Sequence, residues 1–141
     1  MIRINANRVI LGGLVAGFVI LLSGLALANF VLGQEYVVKF KATFPQSPTE
    51  MIATHVGMRF GFGIVAVYLS AAMRPRFGSR EKSAVVAGVA LWLLAYVPLA
   101  MTLRSLSLLL GGQFVMVLAW ELVETVLAVA IGSSFYRETR R

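Results

Sequence analysis

The sequence has no cysteine and no aspartate, and its only histidine is His55. Without cysteine there are no disulfides, thiolate metal sites or iron–sulfur clusters. One imidazole cannot supply a bis-histidine haem or a three-histidine zinc site. His55 alone stays a candidate axial ligand for a haem iron or a pigment magnesium; no other metal site and no cofactor is expected. Charge is also scarce, with 13% charged and 59% apolar residues among 141. Soluble domains carry about 25% charged and rarely exceed about 50% apolar. Mean hydropathy is +0.84. A soluble enzyme or a nucleic-acid-binding domain is therefore excluded as the broad class, despite a net charge of +7.

What the sequence does have is long apolar runs, over approximately 9–32, 51–73, 83–103 and 112–135. Each is long enough to cross a hydrocarbon core of about 30 Å at 1.5 Å per residue. The expected fold is all-α: a single transmembrane domain, 1–141, forming a four-helix bundle with short loops. Ser47-Pro48-Thr49-Glu50 reads as an N-cap, a first-turn proline and a capping-box glutamate. Ser79 is a candidate cap for the third helix. Pro98, inside the third run, removes a backbone donor and is expected to bend it.

Cations set the expected orientation. Arg3, Arg8, Arg74, Arg76, Arg80, Lys82, Arg137, Arg140 and Arg141 fall on one side, against Lys39, Lys41 and Arg104 on the other. The positive-inside rule then places both termini in the cytoplasm (N-in, C-in) and segments 33–50 and 104–111 outside. An alternative for the N-terminus is a secretory signal, since Ala26-Leu27-Ala28 mimics a cleavage site. The apolar run continues to Leu32, which is long for such a signal. Segment 33–50 alternates apolar and polar residues around Tyr36, Val38 and Phe40. It reads as a short strand, an aromatic interfacial segment or an ordered connector.

Small residues recur at helical spacing: Gly13, Gly17, Gly24 and Ala28 in the first helix, Ala53, Gly57 and Gly61 in the second, Ala84 and Gly88 in the third. Such faces let helix backbones approach closely where lipid supplies no hydrophobic drive. Close packing within one bundle is one reading, and association with another copy or another subunit is the other. With Gly57 and Gly61 opposite the charged face, the second helix is expected to have neighbours on both sides.

The intramembrane charges are Arg59, Glu121 and Glu124, with His55 one turn before Arg59. Arg59 and Glu121 each lie roughly 13–14 Å along their helices, which both run inward. They can therefore meet if helices two and four are neighbours. An unpaired charge at that depth costs about 2.5–3.5 kcal/mol or more. Arg59 neutralises one carboxylate, so one of the glutamates is expected to carry a proton, with titration shared between them. His55 is a candidate for the proton's outer path. The competing reading is an ionic staple that fixes helix register.

No catalytic constellation accompanies these groups. Ser133-Ser134 lies at the opposite helix end from His55, and Gly111-Gly112 lacks the other residues of a phosphate loop. A non-enzymatic role is expected. Segments Arg3-Ile4-Asn5, Arg8–Gly17, Ala72–Gly78 and Trp120-Glu121 with Val123-Glu124 resemble a group of small, uncharacterised bacterial inner-membrane proteins. That resemblance implies a bacterial inner-membrane location and a four-helix fold, and carries over no site residues. Three functions stay open: an accessory or assembly subunit of a membrane complex, a proton-coupled transporter or channel, and a pigment- or haem-binding subunit. The expected partners are the lipid bilayer and other membrane subunits or further copies of the chain, not nucleic acid.

Overall fold

The computed structural model describes residues 4–136. Arg3 and the arginines at 137, 140 and 141, used above for orientation, lie outside that range. Helix α1 spans Ala6–Ala26 and passes through a π-helical turn, Leu27–Leu32, into α2, Gly33–Thr43. Helix α3 spans Pro48–Phe77. Helix α4, Arg80–Leu91, is joined by a second π-helical turn, Trp92–Tyr96, to α5, Val97–Ser105. Helix α6 covers Gly111–Ser134. No strand occurs among the described residues.

Four helical runs are long and apolar enough to cross a membrane: Ala6–Thr43, Pro48–Phe77, Arg80–Ser105 and Gly111–Ser134. Their burial pattern suits lipid. Large apolar side chains such as Phe18, Leu22, Leu94, Val115 and Val123 point outward. The interior holds Ala16, Ala66, Ser70, Ser83, Thr125 and Ser133. Small and hydroxyl side chains inside, with large apolar ones outside, is how helices associate in a solvent as apolar as they are. The chain thus has the build of a multi-pass membrane protein.

The spans alternate in direction. Gly13 lies against Ile64, Gly17 against Phe60, Gly12 against Gly132 and Gly88 against Val126. The start of α1 and the end of α6 therefore share one end of the bundle; the 33–50 and 104–111 segments share the other, called here the connector end. Helix α1 packs on α3 and α6, and α4 packs on the same two. Helices α3 and α6 also touch across the middle. Direct hydrogen bonds tie the spans: Ser133 Oγ donates to Ser70 Oγ at 3.0 Å, and Trp92 Nε1 to the Leu118 carbonyl at 2.9 Å.

Local chemistry explains the boundaries. Ser47 Oγ accepts from the Glu50 amide at 3.2 Å while the Glu50 carboxylate accepts from the Ser47 amide at 2.9 Å. Ser79 Oγ accepts from the Lys82 amide. The second helix runs past Arg74 to Phe77, with Pro75 inside it, and ends at Gly78 in the left-handed region, φ 72°. Pro98 falls at the start of α5, directly after a π-helical turn. The missing proline N–H is absorbed there by a change of hydrogen-bond register.

Two sequence expectations are corrected. Residues 33–43 form no strand but helix α2. Tyr36, Phe40 and Phe44 alternate in twos with their neighbours but also repeat in fours. In the helix their rings line one face, with centroids 5.9 and 5.0 Å apart. An i,i+4 ion pair, Glu35–Lys39 at 2.7 Å, lies along the same helix. The second correction concerns Gly57 and Gly61, which were expected to face a neighbour. A Cβ at either position would meet nothing within 4 Å, so within this chain the stripe is an open, outward face. The close α1–α3 crossing uses Gly63 instead, whose Cβ position is occupied by the backbones of Gly13 and Gly17.

Candidate functional site

Arg59 leaves α3 toward α1 and α6. Its Nη1 donates to the Ile20 carbonyl at 3.2 Å and lies 3.6 Å from Glu124 Oε1. The Glu124 side chain is 1% exposed and that of Arg59 25%, so this pair is held away from bulk water. Gly24 makes room for it. A Cβ there would lie 2.5 Å from Arg59 Cζ and Nη2, so the guanidinium rests directly on the α1 backbone.

Glu121 is buried one turn earlier on α6. Its Oε2, both Glu124 oxygens and the Tyr96 hydroxyl have no hydrogen-bond partner among the described residues. Tyr96, from the π-helical turn, lies within electrostatic reach of Arg59 and both glutamates. Ser23 and Trp120 sit beside Glu124 and bond each other, Trp120 Nε1 donating to Ser23 Oγ at 2.9 Å. Four spans therefore converge here: α1 supplies Ser23, Gly24 and the Ile20 carbonyl, α3 supplies Arg59, the third span supplies Tyr96, and α6 supplies the carboxyls.

The expected meeting of helices two and four does occur, but the ion pair forms with Glu124. Glu121 sits closer to the connector end. His55 is in a different setting. Its Nδ1 lies 3.0 Å from the Met51 carbonyl, where it must be the donor because a carbonyl oxygen only accepts. Its ring stands edge-on to Phe40, centroids 5.7 Å apart. Among the described residues no three His, Cys, Asp or Glu side chains are grouped so as to hold a metal ion. Of the small residues singled out in the sequence, Gly13, Gly17 and Gly88 meet a neighbouring backbone, and Gly24 meets Arg59. Ala84 is fully packed, and Ala28 is half-buried in the first π-helical turn.

Sequence reasoning missed Tyr96, Ser23 and Trp120 as neighbours of the charges. Trp120 was accessible, since it stands four residues before Glu124 on one helix face. Ser23 and Tyr96 arrive only through tertiary packing. Chemically, one guanidinium faces two buried carboxyl groups, so with both ionised the site holds one uncompensated negative charge in poor solvent. One further positive charge balances it, and a proton is the smallest that can. No family model matches the chain, and no curated protein or solved structure is significantly similar to it.

Proposed function

We propose that the protein is a small proton-coupled transporter or channel whose working group is the buried Arg59–Glu121–Glu124 site. The observation that carries this reading is the excess of acid: two carboxyls against one cation, with three buried carboxylate oxygens that have no hydrogen bond among the described residues. A pure ionic staple gains nothing from the second carboxyl, which costs desolvation and repels its neighbour. In this reading Arg59 stays paired with Glu124, and Glu121 takes up and releases the proton. Both ends of the chain face the cytoplasm of a bacterial inner membrane, so the connector end faces outward.

Infrared difference spectroscopy of the reconstituted protein across a pH titration tests the proposal. The expected result is a carboxylic-acid carbonyl band that disappears in Glu121→Gln, together with loss of proton flux into liposomes while the assembly is unchanged. A spectrum identical in the wild type and Glu121→Gln overturns it and leaves the staple.

A second reading, an accessory or assembly subunit of a membrane complex, is favoured by one observation. The Ala53, Gly57 and Gly61 face is open and composed of residues that admit another helix closely. The two readings are compatible in one molecule if the partner is a further copy.

A further inference from the structure

Helix α2 stands at the connector end, and its attachment is light. None of its residues is fully buried, and its backbone packs only against the π-helical turn that precedes it. The joint is Gly33, at φ 80° and ψ 178°. A backbone at positive φ of this kind favours glycine. A Cβ there would meet nothing within 4 Å, and the joint is tied by the Gly33 amide, which donates to the Ala28 carbonyl.

What holds α2 down is two side chains one turn apart. Tyr36 and Phe40 pack against the apolar group that includes Leu32, Leu103, Leu109 and Val117. Phe40 also meets His55 edge-on. That apolar group includes Val117, which stands one turn before Glu121 on α6, toward the connector end, and Tyr36 is within electrostatic reach of Glu121 and Arg59. The flank of the helix beside these rings carries the exposed Glu35–Lys39 pair. An amphipathic helix, hinged at an unpacked glycine and pinned by two aromatic residues, has the construction of a lid.

We propose that α2 is a hinged lid over the Arg59–Glu121–Glu124 site, with Tyr36 as its plug, and that lifting it admits water and ions from the connector end. The assignment rests on the acid-site reading above for its purpose, but not for its geometry. Few buried contacts place α2 at the low-stability end of the molecule, where local opening occurs without global unfolding.

The absence of cysteine makes the test direct. A reporter thiol is placed at Val117→Cys, a position 2% exposed in the group that Tyr36 packs on, and its reaction with a water-soluble maleimide is timed in detergent micelles. Ser70→Cys, at the far end of the bundle, serves as the control position. Tyr36→Ala is expected to raise labelling at 117 about ten-fold, the change given by roughly 1.4 kcal/mol of lost closure, and to leave labelling at 70 unchanged. Tyr36→Phe, which keeps the ring, is expected to leave both rates at the starting value. Unchanged labelling at 117 in Tyr36→Ala overturns the lid. So does an equal rise at 70, which reports a loosened bundle. The labelling reads access and the infrared band reads titration. A lid over a site that does not titrate, and a titrating site without a lid, therefore give different results.

Discussion

Gly61 and Gly63 stand two positions apart on the same helix and have opposite surroundings. A side chain at 63 would enter the backbone of α1, where Gly13 and Gly17 already lie. A side chain at 61, like one at 57, would enter open space. Two residues correspond to about 200° of helix rotation, so the pair sits on opposite sides of α3. The side with the regular four-residue glycine spacing is the outward one. Spacing shows where a close approach is permitted; only the neighbour shows where one is made.

The largest effect should come from filling the inner side. Gly63→Val pushes its side chain into backbone that cannot rotate away, and a cost at or above the usual 1–3 kcal/mol of overpacking is expected. Thermal unfolding in detergent would read this, and retention of wild-type stability would mean that α1 and α3 do not cross here. A smaller effect is expected at Gly24, where the obstacle is the Arg59 side chain rather than backbone. Gly24→Ala should cost about 1–3 kcal/mol, and most of that cost should vanish in an Arg59→Ala background. A double-mutant cycle separates this coupling from a general effect on α1. If the cost persists without Arg59, the guanidinium does not rest on Gly24.

The smallest effect, and one of opposite sign, belongs to the outward side. Gly57→Ala and Gly61→Ala should leave the isolated bundle unharmed or stabilise it by up to about 1 kcal/mol, because alanine is the better helix former and meets no obstacle. Gly61→Leu should be equally harmless to the isolated chain. In native mass spectrometry of protein drawn from its own membrane, it should displace any subunit or second copy seated on that face. A partner that stays bound would show that the stripe is lipid-facing only.

The charge site divides along similar lines. Depth along two parallel helices was enough to bring the second and fourth spans together at Arg59, because rise per residue is fixed. The choice of Glu124 over Glu121 as the ion-pair partner depends on how α3 and α6 are rotated and staggered, which no single-helix pattern contains. Ser23 and Tyr96 reach the site from other spans, at sequence separations that leave no local trace. Helix α2 shows the converse. Its aromatic residues fit both a two-residue and a four-residue repeat, and only the helical backbone decided between them.

By itself, the sequence determined the four apolar helices, the caps at Ser47 and Ser79, and the presence of an arginine and two glutamates at membrane depth. These follow from length, composition and contacts within a few residues, which every copy of the segment carries with it. The tertiary structure alone decided that Gly63 packs while Gly57 and Gly61 stay open, that Arg59 lies on Gly24 and pairs with Glu124, and that Tyr36 and Phe40 of α2 pack on the apolar group at the connector end. Those outcomes depend on the rotation and register of one helix against another, which are set by close packing among all four spans at once.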